Sequence, residues 1–115
     1  MIQGIHHISI IVSSEDSISF YNKLGFNETK RINREYDTVA FLNGYGIELV
    51  LFIDPEHTCA PYGSEYYGIR RLALKVDNIE TIREEFDCGP ILRDWFGKAY
   101  CITQSPDGLA IEFHE

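Results

Sequence analysis

Charged and imidazole side chains lie inside stretches of this sequence that otherwise read as buried strands. His7 lies in the run IHHISIIV and Glu48 in the run IELVLFI. In the second half of the chain, Arg71, Lys75 and Glu112 lie in similar apolar surroundings. A charge placed in such a strand needs a partner or a function, because burying it alone costs free energy. Carboxylates together with imidazole are typical ligands of zinc, nickel, manganese or iron.

The alternation of side chains along a strand predicts which of these groups share a face. In a strand over residues 5–12, His7 lies on one face and His6 on the other, which is the face expected to pack on a helix. In a strand over residues 47–53, Glu48 lies opposite the more apolar face. We therefore expect His7 and Glu48 to share the open face of a sheet, and His6 to be excluded unless a bulge intervenes.

An internal repeat places a second set of charged residues at matching positions. Residues 4–51 align without a gap on residues 68–115, an offset of 64, and the identities include glycines, turn residues and apolar positions. Glu112 then falls on Glu48, and Arg71 on His7. Two copies indicate a duplicated module and not a solenoid.

Each copy predicts a strand, a helix and about three further strands. Local patterns predict the helix boundaries: serines begin the first helix, a capping box begins the second, and a glycine ends each. The residues are Ser13 and Ser14 with Gly25, then Asp77 and Glu80 with Gly89. Hairpin turns are predicted at Asn43-Gly44 and Asp107-Gly108.

The predicted fold class is α+β, with two tandem βαβββ modules in a single domain of residues 1–115. The length suits one compact domain. The first module covers residues 4–53 and the second residues 68–115. The connector, residues 54–67, is long enough to be either a linker or a functional flap.

Composition narrows the classes of function. Ten Lys and Arg against 18 Asp and Glu give a net charge of −8, which argues against binding nucleic acid. No apolar run approaches the ~20 residues that span a bilayer, and the N-terminus does not resemble a signal peptide. Cys59, Cys88 and Cys101 match no zinc or redox motif, and their odd number disfavours a disulfide framework. We expect a cytoplasmic protein with free thiols and no nucleic-acid or membrane partner.

Four runs of the sequence resemble the vicinal-oxygen-chelate superfamily: HHISIIVSSEDSISFYNKLGF, GIELVLF, GIRRLALKVDNIE and QSPDGLAIEF. That superfamily includes glyoxalase I, bleomycin-resistance proteins, extradiol dioxygenases, methylmalonyl-CoA epimerase and fosfomycin-resistance enzymes. The resemblance covers nearly the whole chain and is nearest to the small glyoxalase-I-like branch. It implies two βαβββ modules whose sheets close around a cleft.

The resemblance also implies four metal-ligand positions, on the first and last strands of each module. They fall on His7, Glu48, Arg71 and Glu112. An arginine stays protonated and has no lone pair to donate, so Arg71 cannot be a ligand. His7, Glu48 and Glu112 remain as the implied ligands, and His114 is a hypothetical fourth.

By resemblance, the protein is a metal-assisted lyase or isomerase acting on a small oxygen-rich substrate. A divalent ion (zinc, nickel or manganese) acidifies a C–H next to two chelated oxygens, and Glu48 or Glu112 takes the proton. Arg71 and Lys75 would bind an anionic group of the substrate. The family also implies a homodimer.

The bleomycin-resistance relatives imply an alternative without metal. Here the protein sequesters a small molecule, and Arg71 neutralises Glu48 and Glu112 in a buried cluster. A regulatory or interaction domain is a third interpretation, which rests only on the breadth of the superfamily. Five aromatic residues could line a pocket or a dimer interface, or cover the edge of a core: Tyr62, Tyr66, Tyr67, Trp95 and Phe96.

Overall fold

Two compact units make up the chain, Met1–Cys59 and Ala60–Glu115. The computed structural model describes residues 1–58 and 67–115. Each unit has its own four-stranded sheet and one helix, so the predicted α+β class with two βαβββ modules is confirmed. Within the described residues, no helix has the length and apolar character needed to cross a bilayer.

The first unit begins with a strand and a helix, and three strands follow. Its strand order is β1-β4-β3-β2, with β1 parallel to β4 and the other neighbours antiparallel. The elements are β1 (Ile8–Val12), α1 (Glu15–Leu24), β2 (Asn27–Asn33), β3 (Thr38–Gly44) and β4 (Ile47–Ile53).

The second unit repeats this topology with shorter elements. Its strand order is β5-β8-β7-β6, again with the first and last strands parallel. The elements are β5 (Leu72–Lys75), α2 (Ile79–Glu85), β6 (Leu92–Arg93), β7 (Ala99–Gln104) and β8 (Ala110–His114).

One face of each sheet forms the core of its unit. In the first unit, the register places alternate residues of β1, β3 and β4 on that face, and five of them are fully buried: Val12, Ala40, Leu42, Leu49 and Leu51. In the second unit, the corresponding buried residues are Ala99, Cys101, Ile111 and Phe113. The opposite face of each sheet carries the charged groups that the sequence singles out.

The first helix has the predicted ends. Ser14 is its N-cap and accepts a hydrogen bond from the backbone N–H of Asp16. Gly25 ends the helix in the left-handed conformation, with φ at +107°. A side chain at such a φ would be strained, which explains why glycine occupies this position.

The predicted ends of the second helix are wrong. Its N-cap is Asn78 and not Asp77, and the Asn78 side chain accepts a hydrogen bond from the Thr81 N–H. The helix ends at Glu85, and its C-cap is Phe86, three residues before Gly89. Asn and Asp are about equally good N-caps, so local sequence could not decide between the two neighbours.

The first predicted hairpin turn is displaced by two residues, whereas the second is confirmed at Asp107-Gly108. β3 continues through Asn43 and Gly44, and the turn consists of Tyr45 and Gly46, both with positive φ. The Tyr45 hydroxyl donates a hydrogen bond to the Leu24 carbonyl at 2.5 Å. That contact stabilises a tyrosine in a conformation that tyrosine seldom adopts.

The two units differ in the register of their parallel strands. Ile8 pairs with Leu49 in the first unit, whereas Leu72 pairs with Ile111 in the second. The sequence repeat places Leu72 on Ile8 and Ile111 on Ile47, so the second register is shifted by two residues. Sequence-equivalent residues therefore have different neighbours across the two parallel pairs.

Candidate metal centre

Two imidazoles and a carboxylate converge at the start of β1 and β4. His6, His7 and Glu48 each offer a ligand atom, and these atoms all lie within 4.8 Å of one another. The two histidines are exposed and Glu48 is half-buried. His7 and Glu48 directly precede Ile8 and Leu49, the first pair of the parallel register, which explains why these two side chains are neighbours. Two imidazoles with one carboxylate form a donor set that fits a divalent transition metal.

The prediction that His6 faces away from this group is wrong. β1 begins at Ile8 and not at residue 5, so both histidines precede the strand. Alternation applies only to residues with strand geometry, and therefore it does not separate His6 from His7. Their Nδ1 atoms are 2.9 Å apart, and their rings meet edge to face.

In the second unit, the sequence-equivalent carboxylate is already paired. Arg71 Nη1 donates to Glu112 Oε1 at 2.7 Å, and the two side chains are only 24% and 16% exposed. His7 of the first unit has a ring nitrogen that could bind a metal, whereas Arg71 at the equivalent position of the second unit carries a permanent positive charge. This pair is the arrangement that the metal-free interpretation expects for Glu112.

The other predicted residues of the second unit also have partners. His114 Nε2 lies 2.9 Å from Asp94 Oδ2, and its ring stacks on Tyr100. Lys75 is exposed, and its Nζ donates to the backbone carbonyl of Glu115 at 3.3 Å. His114 was the hypothetical fourth ligand, and Nε2 is one of the two ring nitrogens that ligation could use.

Sequence reasoning missed Asp94, which organises the hairpin between β6 and β7. Its Oδ1 accepts backbone N–H groups from Lys98 and Phe96, both at 2.8 Å. These bonds, the one from Lys98 first, and that to His114 hold the pKa of Asp94 below its usual value. No local motif marks Asp94, since its role depends on the pairing of distant strands.

A cavity of about 430 Å³ lies within the first unit, on the sheet face that carries Glu48. Ser9, Ile11 and Phe52 line its floor, as the predicted alternation requires, and three polar residues complete it: Asp37, Asp54 and His57. His57 Nε2 lies 3.0 Å from Asp54 Oδ2. Such a cavity is large enough for a small molecule.

The remaining predictions concern aromatic and thiol side chains. Tyr67, Trp95 and Phe96 are highly exposed. Tyr62, Tyr66 and Cys59 lie outside the described residues. Cys88 and Cys101 are free and buried, and burial raises the pKa of the Cys88 thiol to about 12. A thiol with such a pKa is a poor nucleophile, in agreement with the structural role expected of it.

Comparison with known families fits this geometry. The family model of the glyoxalase/bleomycin resistance protein/dioxygenase superfamily matches residues 4–113. The chain belongs to this superfamily. The resemblance of its four sequence runs to the vicinal-oxygen-chelate proteins is thereby confirmed.

Solved structures of superfamily members have the same fold. A glyoxalase family protein from Enterococcus faecalis is 33% identical, with 98% of each chain covered and a TM-score of 0.85. A mutant of the fosfomycin resistance protein FosX from Listeria monocytogenes, complexed with Mn(II) and 1S,2S-dihydroxypropylphosphonic acid, is 15% identical. That match covers 99% of this chain and 92% of the other, with a TM-score of 0.76.

Lactoylglutathione lyase from Agrobacterium tumefaciens is also 15% identical, with 100% of this chain and 95% of the other covered and a TM-score of 0.66. At such identities, the likeness to FosX and to the lyase shows a shared fold. Among curated proteins, none matches this sequence.

Proposed function

We propose that this protein is a metal-dependent lyase or isomerase of the glyoxalase I type, acting on a small oxygen-rich substrate. The observation that carries the proposal is the convergence of His7 and Glu48 at the start of two parallel strands. These are the ligand positions that family resemblance assigns to the first module.

The donor set indicates zinc, nickel or manganese. Manganese has added support because the related FosX structure contains Mn(II). When bound, the ion would polarise neighbouring substrate oxygens and so acidify the adjacent C–H. His7 and Glu48 would hold the ion, and the cavity lined by Ile11 and Phe52 would receive the body of the substrate.

The residues of the second unit keep the roles that the family implies. Because Glu48 is needed to hold the ion, Glu112 is proposed to accept the proton from the substrate. Arg71 orients the Glu112 carboxylate through its 2.7 Å hydrogen bond. Arg71 and Lys75 are proposed to attract an anionic group of the substrate. We further propose that the protein is cytoplasmic and forms a homodimer. Light scattering would test the dimer, and cell fractionation would test the location.

A metal-free binding protein is the second candidate, and the Arg71–Glu112 ion pair favours it. A half-buried carboxylate that is neutralised by arginine does not need an ion. In this case the protein sequesters a small molecule without chemistry, as the bleomycin-resistance relatives do.

Metal content separates the two candidates. Protein purified without chelator or histidine tag is analysed for zinc, nickel and manganese, then dialysed against each ion. The metal-dependent proposal expects about one ion per chain and turnover of a thiol–aldehyde adduct. No uptake of any of these ions would reject it in favour of the metal-free candidate.

Replacing Arg71 by histidine sharpens the test. If Glu112 can reach the same ion as His7 and Glu48, Arg71→His should tighten metal binding at least tenfold. Glu80→His is the control, because it adds a histidine at an exposed position of α2, outside the sheet that carries Glu112. Equal affinities in the two variants would show that position 71 is not a ligand position in this chain.

A further inference from the structure

We propose that His6 completes the metal centre, so that the first unit alone supplies three ligands: His6, His7 and Glu48. This inference rests on the metal dependence proposed above, and it assigns a ligand that family resemblance does not. It also removes the need for Glu112 as a ligand.

The spacing of the two imidazoles fits a shared ion. The Nδ1 atoms of His6 and His7 are 2.9 Å apart. Two nitrogen ligands at about 2.1 Å from a metal lie about 3.0 Å apart at a right angle, and about 3.4 Å apart in a tetrahedron. The observed Nδ1 separation is therefore close to the value for two ligands of one ion, and Glu48 offers an oxygen within 4.8 Å of a ring nitrogen of each histidine.

The approach of two ring nitrogens needs either a shared proton or a metal ion between them. If both Nδ1 atoms carry lone pairs, those pairs repel each other at 2.9 Å. Without a metal, one ring must hold its proton on Nδ1 and donate it to the other. A bound divalent ion would satisfy both lone pairs at once, and it would be further stabilised by the charge of Glu48.

The backbone explains how two consecutive histidines reach one site. Consecutive residues of a strand point to opposite faces, but residues 5–7 precede β1 and lie outside its ladder with β4. Gly4, with φ at +156°, is followed by this short irregular segment. The two imidazoles can therefore converge because this segment lacks strand geometry, and the alternation of side chains between faces does not apply to it.

The second unit cannot make an equivalent site. Its residues at the positions of His6 and His7 are Arg70 and Arg71, neither of which can ligate a metal. Glu112 is bound to Arg71. Because Glu112 is paired with Arg71, His6 is the third ligand that lies next to His7 and Glu48 within the first unit.

Zinc binding measured by equilibrium dialysis on the full chain tests the inference. We expect His6→Ala to weaken zinc binding at least tenfold, as His7→Ala and Glu48→Gln should. Even outer-shell partners of metal ligands contribute about 10–100-fold to affinity. His57→Ala is the matched control, since His57 is an exposed histidine of the same unit that is paired with Asp54. It should bind zinc as the wild type does.

Cobalt substitution gives a second readout that needs no activity. The visible spectrum of the cobalt-loaded protein reports the number and type of ligands, so His6→Ala should change it and His57→Ala should not. Glu112→Gln should leave both the zinc affinity and the spectrum within experimental error of the wild type.

The outcomes separate this inference from the proposed function. If wild-type protein binds zinc and His6→Ala binds it equally well, His6 is not a ligand and only the further inference fails. If Glu112→Gln weakens binding as much as Glu48→Gln does, the ion is not held by the first unit alone, and again only this inference fails. If wild-type protein binds no divalent ion, both proposals fail.

Discussion

The two units share one topology, but the side chains at equivalent positions of the repeat differ in their chemistry. In the first, His6, His7 and Glu48 bring donors together, and within the described residues Glu48 forms no ion pair. In the second, Arg71 neutralises Glu112. The duplicated module thus keeps a carboxylate in both copies but offers lone pairs in one and a fixed positive charge in the other. A fold can therefore retain a position while the chemistry of that position diverges.

Truncating equivalent core residues should give the largest effects and should test whether the units are equally well packed. Leu49 and Phe113 occupy matching positions of the repeat, and each is almost fully buried. We expect Leu49→Ala to lower the free energy of unfolding by about 2–5 kcal/mol and Phe113→Ala by about 3–5 kcal/mol. Urea denaturation measures both, with the exposed Ile2→Ala as control. A loss below about 1 kcal/mol in one unit would contradict equal packing.

Removing the arginine should destabilise only the unit with the ion pair. Arg71→Met leaves the half-buried Glu112 carboxylate without its partner, which should cost about 1–2 kcal/mol of unfolding free energy. The double variant Arg71→Met, Glu112→Gln should recover part of that loss. Glu48→Gln without metal should change stability by less than about 0.5 kcal/mol. If Glu48→Gln proved as costly as Arg71→Met, the contrast between the two carboxylates would be lost.

The hairpins before the last strands offer a finer comparison. In the first unit, Tyr45→Phe removes the hydrogen bond to the Leu24 carbonyl. In the second, Ser105→Ala removes the hydroxyl that accepts the N–H groups of Asp107 and Leu109. Each change should cost about 0.5–1.5 kcal/mol. Thermal denaturation of both variants measures it, and a neutral result for either would show that its turn is fixed by the backbone alone.

We expect the smallest effect on stability from the acid titration of the Arg34–Asp37 ion pair in the first unit. Hydrogen bonds from the Arg34 guanidinium hold the pKa of Asp37 below its usual value. The stabilisation is therefore present above the unfolded-state pKa of about 3.9 and is lost as the pH falls through the lower folded-state pKa. We expect wild-type protein to be more stable than Asp37→Asn at pH 6, and this advantage to shrink between pH 4 and pH 2. Urea midpoints across that range measure the change, and a constant difference would contradict it.

Features that depend on neighbouring residues could be predicted from the sequence, whereas features that depend on distant strands could not. Ser14 and Gly25 mark the ends of α1 by local chemistry alone, and both ends are where the sequence places them. Asn43-Gly44 also looks like a turn locally, yet the contact of Tyr45 with Leu24 moves the turn onward. The two-residue difference in parallel register is decided by whole ladders and leaves no local signal.

The same distinction applies to the site. Alternation along β4 correctly places Glu48 on the face of Phe52, where the cavity lies. It failed for His6 because the rule was extended to residues that precede the strand. Asp94 could not be predicted as the partner of His114, because the two meet only after β7 pairs with both of its neighbours.

The close approach of Tyr45 to the end of α1 couples substitutions in the hairpin to substitutions at the helix terminus. A Cβ atom on Gly25 would lie 2.1 Å from the Tyr45 hydroxyl oxygen, and one on Gly44 would lie 2.8 Å from the Gly25 carbonyl oxygen. A side chain at position 25 would require the tyrosine ring to move aside, and it would also be strained by the φ of +107°. We therefore expect substitutions at Gly25, Gly44 and Tyr45 to have non-additive effects on stability, because a change of the hairpin alters the contacts of the helix terminus.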